Sequence, residues 1–157
     1  MPNVYQRSPD QTKYYQPGSP GVGNVGSYQV SGIPWMTGSD ALGNGTEHVH
    51  FFPYVTKKIS VFNHGPKDLR VHFISKDTAT VYSEHHYLTL SGSAADAPDS
   101  TRLDLDIKCT EIYLSNASGG TACYEMLAEM TTIGRGQMFE LTGEGISTKE
   151  NGGANPA

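Results

Sequence analysis

Histidine supplies the first candidates for chemistry in this sequence. His48 and His50 stand two apart, His85 and His86 are adjacent, and Glu47 and Glu84 lie beside the two pairs. On a strand, residues i and i+2 share a face, so His48 and His50 project together as the imidazoles of a His-x-His chelate do. A zinc or iron site also asks for a third histidine or a carboxylate from a facing strand. No local spacing supplies it, so these histidines read as surface or core residues, and neither metal nor cofactor is expected. Asp104 and Asp106 alternate with Arg102 and Lys108. A glycosidase needs two carboxylates facing each other across a cleft, whereas two on the outward face of one strand describe a solvated face. Asp96 and Asp99 share a loop without the spacing of a calcium-binding hand. Cys109 and Cys123 are too few for a zinc site. A hairpin over 111–126 would hold them apart as two free thiols. Gly-x-Ser-x-Gly is absent, and the glycines of 18–26 lack the Gly-Lys-Ser/Thr ending of a phosphate loop. The sequence therefore predicts no enzyme and no catalytic residue.

The elements that must carry these side chains read as strands. From Glu47 onward, apolar residues recur with period two. Ile59 and Val61 share a face over 56–63, and Leu69, Val71 and Phe73 alternate with outward Arg70 and His72 over 69–74. His64-Gly-Pro-Lys-Asp between them is turn chemistry, which predicts a hairpin over 56–74. Further strands are expected at 47–55, 79–81, 86–90, 102–108, 111–115 and 137–142. A long one over 121–133 should bend or bulge, since strands usually run to about 5–6 residues. No helix is expected. The architecture is all-β: an antiparallel β-sandwich of jelly-roll or Greek-key type, with an extended N-terminal arm (1–46), a body (47–142) and a flexible C-terminal tail (143–157).

The arm differs in texture from the body. Eight of the 18 glycines and five of the nine prolines fall in residues 1–50, which forbids a helix there. Yet Val22, Val25, Tyr28, Val30, Ile33, Trp35 and Met36 crowd into one strip, too apolar for a solvated linker. Only 27–31 alternates well enough for a short strand. An apolar strip without room for its own core must dock. Tyr14, Tyr15, Tyr28, Val30, Ile33, Pro34, Trp35 and Met36 are the expected partner contacts, because aromatic and apolar anchors dominate protein interfaces. The strip is expected to bury against a neighbouring subunit, and removal of residues 1–39 to leave a folded body. The net charge of -5 argues against an electrostatic grip on nucleic acid or anionic lipid. No apolar run reaches the roughly 18 residues of a membrane span, and no basic-then-apolar leader opens the sequence.

Several stretches also carry a resemblance. Asn-Val-Gly-Ser-Tyr-Gln-Val-Ser-Gly-Ile-Pro-Trp-Met-Thr-Gly-Ser (24–39) precedes Phe-Pro-Tyr-Val-Thr-Lys-Lys-Ile-Ser-Val-Phe-Asn (52–63). Asp-Leu-Arg-Val-His-Phe (68–73), Ile-Lys-Cys-Thr-Glu-Ile-Tyr-Leu-Ser-Asn (107–116) and Tyr-Glu-Met-Leu-Ala-Glu-Met-Thr-Thr-Ile (124–133) follow. Over about 24–145 this order resembles small virion structural proteins of tailed bacteriophages, especially marine and cyanobacterial phages. The resemblance implies a capsid-decorating or cementing β-sandwich on the phage head surface, made in the bacterial host cytoplasm. Its partner would be the major capsid protein and its state a homo-oligomer, with a trimer favoured; no catalytic site or cofactor is implied. Two rivals stand beside it: a neck, tail or fibre-attachment protein of the same virion, and a carbohydrate-binding adsorption module.

Overall fold

The computed structural model describes residues 32–93 and 101–139, together with 141, 143, 145 and 146. Eight strands form two antiparallel four-stranded sheets. In chain order they are β1 (Ile33–Leu42), β2 (Glu47–Phe51), β3 (Tyr54–Asn63), β4 (Leu69–His72), β5 (Leu88–Leu90), β6 (Thr101–Leu105), β7 (Glu111–Ser115) and β8 (Ala122–Gly134). One sheet has the order β1-β8-β3-β6 and the other β2-β7-β4-β5. Their inner faces share one core, in which Phe52, Ile59, Leu69, Ile112, Leu114 and Met126 are fully buried. The fold is thus a sandwich-like, all-β body, as the period-two pattern predicts.

Neither expected hairpin forms. β3 and β4 belong to opposite sheets, as do β7 and β8, so the turns after Asn63 and after Ser115 carry the chain across the sandwich. A buried asparagine turns each corner. The Asn63 amide donates to the carbonyls of Lys67 (2.8 Å) and Leu90 (3.1 Å), and its oxygen accepts from the Gly65 N–H (3.0 Å). The Asn116 amide donates to Leu42 and Gly120 carbonyls, both at 2.9 Å, and its oxygen accepts from the Ser118 N–H (3.0 Å). Turn residues announce a change of direction but not whether the next strand returns to the same sheet.

The expected strand at 79–81 is instead a short helix, α1 (Ala79–Ser83). Three residues are too few to separate a period of two from one of 3.6. His85 ends it in the left-handed region (φ 60°), and the His86 N–H returns to the Val81 carbonyl at 2.9 Å, the pairing of a Schellman stop. The strand expected over 137–142 does not form among its described residues: Gln137 ends a 3-10 turn (Arg135–Gln137), and Met138, Phe139 and Leu141 belong to no strand. In the long strand β8 the inward alternation breaks at Met130 and Thr131, both buried, and its register with β3 shifts beside them. The Thr131 hydroxyl fills the irregularity by donating to the Val55 carbonyl (2.8 Å).

Residues assigned to the arm up to position 46 also change place. Ile33–Leu42 is a ten-residue margin strand paired to β8 from Ile33↔Met130 to Leu42↔Ala122, and Leu42 is completely buried. Glycine and proline forbid a helix here but not an edge strand, where Pro34 sacrifices only one donor.

Candidate functional site

Among the described residues, three polar constellations lie close enough to do chemistry. The first is on the outer face of the β2-β7-β4-β5 sheet. His72 points away from the core, as its alternation predicts, but α1 lays Tyr82 over it and leaves it only 1% exposed. The Ile74 carbonyl, 2.6 Å from Nδ1, can only accept, so Nδ1 carries a proton. Nε2 of the neutral ring then accepts from the Ser115 hydroxyl (2.7 Å), and Ser115 accepts from the Tyr82 hydroxyl (2.8 Å). Glu47 stands 3.8 Å from the same Nε2 and is held by the Ser75 hydroxyl (2.9 Å) and the Lys76 N–H. A serine donating to an oriented imidazole is the core of a nucleophilic site. Here, however, Ser115 is fully buried and the ring stacks on Tyr113 (5.9 Å, 15°), so no substrate reaches the oxygen in this structure. Burial lowers the His72 pKa, although the Ile74 carbonyl and Glu47 pull the other way. The group acts as an internal lock between β2, β4, β7 and α1.

The second constellation joins the two sheets. His48 and His50 share one face of β2, as their spacing predicts, and both meet the Tyr124 hydroxyl, at 2.9 Å through Nδ1 and 2.8 Å through Nε2. One hydroxyl proton serves one neutral ring, and the other ring must donate to the oxygen. Burial pushes the Tyr124 phenol up to about 12. Burial, and next the neighbouring His48, lower the His50 pKa. Trp35 packs edge-on against His50 (5.8 Å) and Phe52 (5.1 Å), which closes the cluster from β1. Among the described residues no group of three or more His, Cys, Asp or Glu side chains is arranged to hold a metal ion. The inward alternation of Tyr124, Met126 and Ala128 was the available signal that Tyr124 faces the histidines, but which strand opposes β2 is not written in local spacing.

The third is a charge ladder on the outer face of the β1-β8-β3-β6 sheet. Asp104 lies 2.7 Å from Arg102 Nε and 3.8 Å from Lys58, and accepts from the Ser60 hydroxyl. The Arg102 hydrogen bond, then that of Ser60, holds the carboxyl below its ordinary pKa. Asp106 is exposed beyond the strand end, so both carboxylates face solvent. Cys109 is buried, Cys123 half-buried, and both are free. The reason is not the expected hairpin: the residues flank a crossing between sheets.

The remaining surface of interest is the β1 margin. Of the eight expected partner contacts, Tyr14, Tyr15, Tyr28 and Val30 lie outside the described residues. Ile33, Pro34, Trp35 and Met36 are brought together at the start of β1 but not on one face. Trp35 turns inward onto its own core, whereas Ile33 (39%), Pro34 and Met36 (76%) are exposed. Met36, Leu127 and Phe62 border a shallow groove of about 510 Å³ over Gly38. A Cβ on Gly38 would sit 2.9 Å from the Tyr124 carbonyl oxygen, so this glycine permits close approach of β1 to β8. No helix of the described residues is long and apolar enough to cross a membrane. No protein-family model, no curated protein and no solved structure matches this chain.

Proposed function

We propose that this protein is a non-enzymatic structural component of a tailed-phage virion: a decoration or cement protein that binds the major capsid protein on the outer head surface as a homo-oligomer, favouring a trimer. The observation that carries the reading is the β1 margin. A ten-residue edge strand is anchored to its own core by Trp35 yet leaves Ile33, Pro34 and Met36 open, immediately after a 31-residue segment rich in tyrosine, glycine and proline. An edge strand offers unpaired backbone groups and apolar side chains together, which is what a neighbouring subunit can use. The strand orders β1-β8-β3-β6 and β2-β7-β4-β5, with successive strands crossing between sheets except from β4 to β5, support a jelly roll over a simpler meander.

The chemistry of the inner sites is consistent with contact rather than turnover, since the serine–histidine pair is sealed and the carboxylates are solvated. The test is binding to undecorated capsids by full-length protein and by a chain lacking residues 1–31. Capsid binding that is lost with the segment supports the proposal; unchanged binding sinks the arm's role, and no binding by either chain sinks the capsid as partner. Copy number separates a head protein, present in hundreds, from a neck or fibre-attachment ring. A sugar-binding role has weaker support. Tyr82 and Tyr87 are fixed on a rigid face, but their rings stand at 90° and enclose Arg70 at 4.8 and 4.5 Å, which leaves no flat platform between them.

A further inference from the structure

The turn between β1 and β2 holds a reactive pair. Asn44 is followed directly by Gly45, and both residues are exposed. Backbone shape calls for the glycine: its φ is 75°, in the left-handed region, and the Thr46 N–H closes the turn on the Gly43 carbonyl at 3.1 Å. A Cβ at position 45 would meet nothing within 4 Å, so no other part of the chain crowds this peptide. An asparagine followed by glycine can react with its own backbone, because no side chain shields the next nitrogen from the amide carbon. Only Asn44 and Asn151 precede a glycine in this sequence, and Asn151 lies outside the described residues.

We propose that Asn44 is a self-modification site, and that the Asn116 corner sets its rate. In the reaction the Gly45 nitrogen gives up its proton and attacks Cγ of Asn44. The new N–C bond closes a five-membered succinimide, and the Cγ–Nδ2 bond breaks, with Nδ2 leaving as ammonia. Water then opens the ring at one carbonyl or the other, which gives aspartate or, with the chain rerouted through the side chain, isoaspartate. One water is consumed and one ammonia released, with no change of oxidation state. The folded turn opposes the first step. The Gly45 N–H donates to the Asn116 carbonyl at 2.6 Å, so the attacking nitrogen is engaged. The Asn44 Oδ1 accepts from the Gly119 N–H at 3.0 Å, which ties the side chain to the neighbouring corner. The Asn116 N–H in turn donates to the Thr46 carbonyl at 3.2 Å. These hydrogen bonds clamp the turn onto residues 116–119. Reaction waits on their opening, a local event that an exposed turn undergoes without global unfolding. Isoaspartate adds one backbone methylene to the loop that the Thr46 N–H closes on Gly43, so the product cannot restore the same turn. Directly after it begins β2, whose Glu47 holds the Ser75 hydroxyl and the Lys76 N–H. The modification is a one-way loosening of the β2 margin, with Asn44 as its timer.

The test follows the full-length chain at mildly alkaline pH, in buffer and in urea above its unfolding midpoint, by peptide mapping with mass spectrometry. In urea Asn44 and Asn151 should both convert to mixed aspartate and isoaspartate, and Asn44→Gln should remove the change at 44 alone. In buffer, conversion at Asn44 should be slower than in urea by about tenfold or more. Asn116→Ala frees the Leu42 and Gly120 carbonyls and slackens the corner, so it should speed the reaction in buffer with an unchanged circular dichroism spectrum. Should that variant fail to fold, the ratio of the buffer and urea rates still decides. Equal rates in buffer and urea overturn control by the corner, and an Asn44 that stays intact in urea overturns the site. Folded chain enriched in isoaspartate should show faster amide exchange across Glu47–Phe51; unchanged exchange there overturns the timer.

Discussion

At the scale of single residues, the polar side chains that first suggest chemistry serve as cross-links inside the body. Tyr124 joins both imidazoles of β2 to β8, so Tyr124→Phe leaves His48 and His50 without their common partner. The expected cost is about 1–3 kcal/mol, measured by chemical denaturation, with the strand content unchanged. The same residues set a pH dependence. The pKa values of His50 and His72 are lowered below 6.5, chiefly by burial, so in a window below that value the unfolded chain binds more protons than the fold does. Stability is then full above pH 6.5 and falls as pH drops toward the folded values. Asp104, whose pKa is lowered from 3.8, loses its contribution only at more acid pH. Melting temperature should therefore decline between pH 7.5 and 5, and His50→Gln should flatten the decline; an unchanged slope in that variant removes His50 from the account. On the neutral side, one ring donates to Tyr124 and the other accepts, whereas two protonated rings would both donate and leave the hydroxyl proton without a partner.

At the scale of elements, the corners decide the topology. Asn63 and Asn116 each gather carbonyls from two segments and hold the chain as it crosses between sheets. Asn63→Ala or Asn116→Ala strands buried carbonyls and N–H groups, at an expected cost of about 1–3 kcal/mol apiece. The two corner loops touch, with the Asn116-held Ser118 hydroxyl reaching the Asp68 carbonyl beside Lys67, so a double-mutant cycle should show coupling between the two changes rather than strict additivity. The β1–β8 pair has a comparable dependence on one position. Gly38→Val brings a branched side chain into a backbone approach already at 2.9 Å for a Cβ, so β1 must shift outward. Amide exchange in Ile33–Leu42 should rise well before exchange in β3, which pairs with β8 and β6 and not with β1.

At the scale of the whole molecule, the body includes more of the N-terminal region than the composition suggests. Removing residues 1–39 would strip most of β1, uncover β8 along one side and take Trp35 from Phe52 and His50. That truncation should lower stability markedly, because it removes a partly buried tryptophan packed on the core together with most of a paired margin strand. Removing 1–31 should leave the melting temperature nearly unchanged while changing assembly. Comparing the two truncations by calorimetry and sedimentation separates folding from contact. The strip then divides physically: Trp35 packs on the chain's own core, and Ile33, Pro34 and Met36 stay exposed.

Legible in the residue pattern were the all-β class, the inward faces of β3, β4 and β8, the shared face of His48 and His50, and the solvent-facing carboxylates Asp104 on β6 and Asp106 just beyond it. These follow from a side-chain period of two, which is a local property of an extended backbone. That the turns cross between sheets, that β1 closes a margin and that 79–83 is helical emerges with the packing. Which strand a segment pairs with depends on contacts far along the chain, and a three-residue apolar pattern fits either period. The same limit applied to the candidate sites. The spacing of the histidines was visible, but Tyr124 between them is 74 residues beyond His50, and His72, outward by its alternation, became buried only because α1 folds over it.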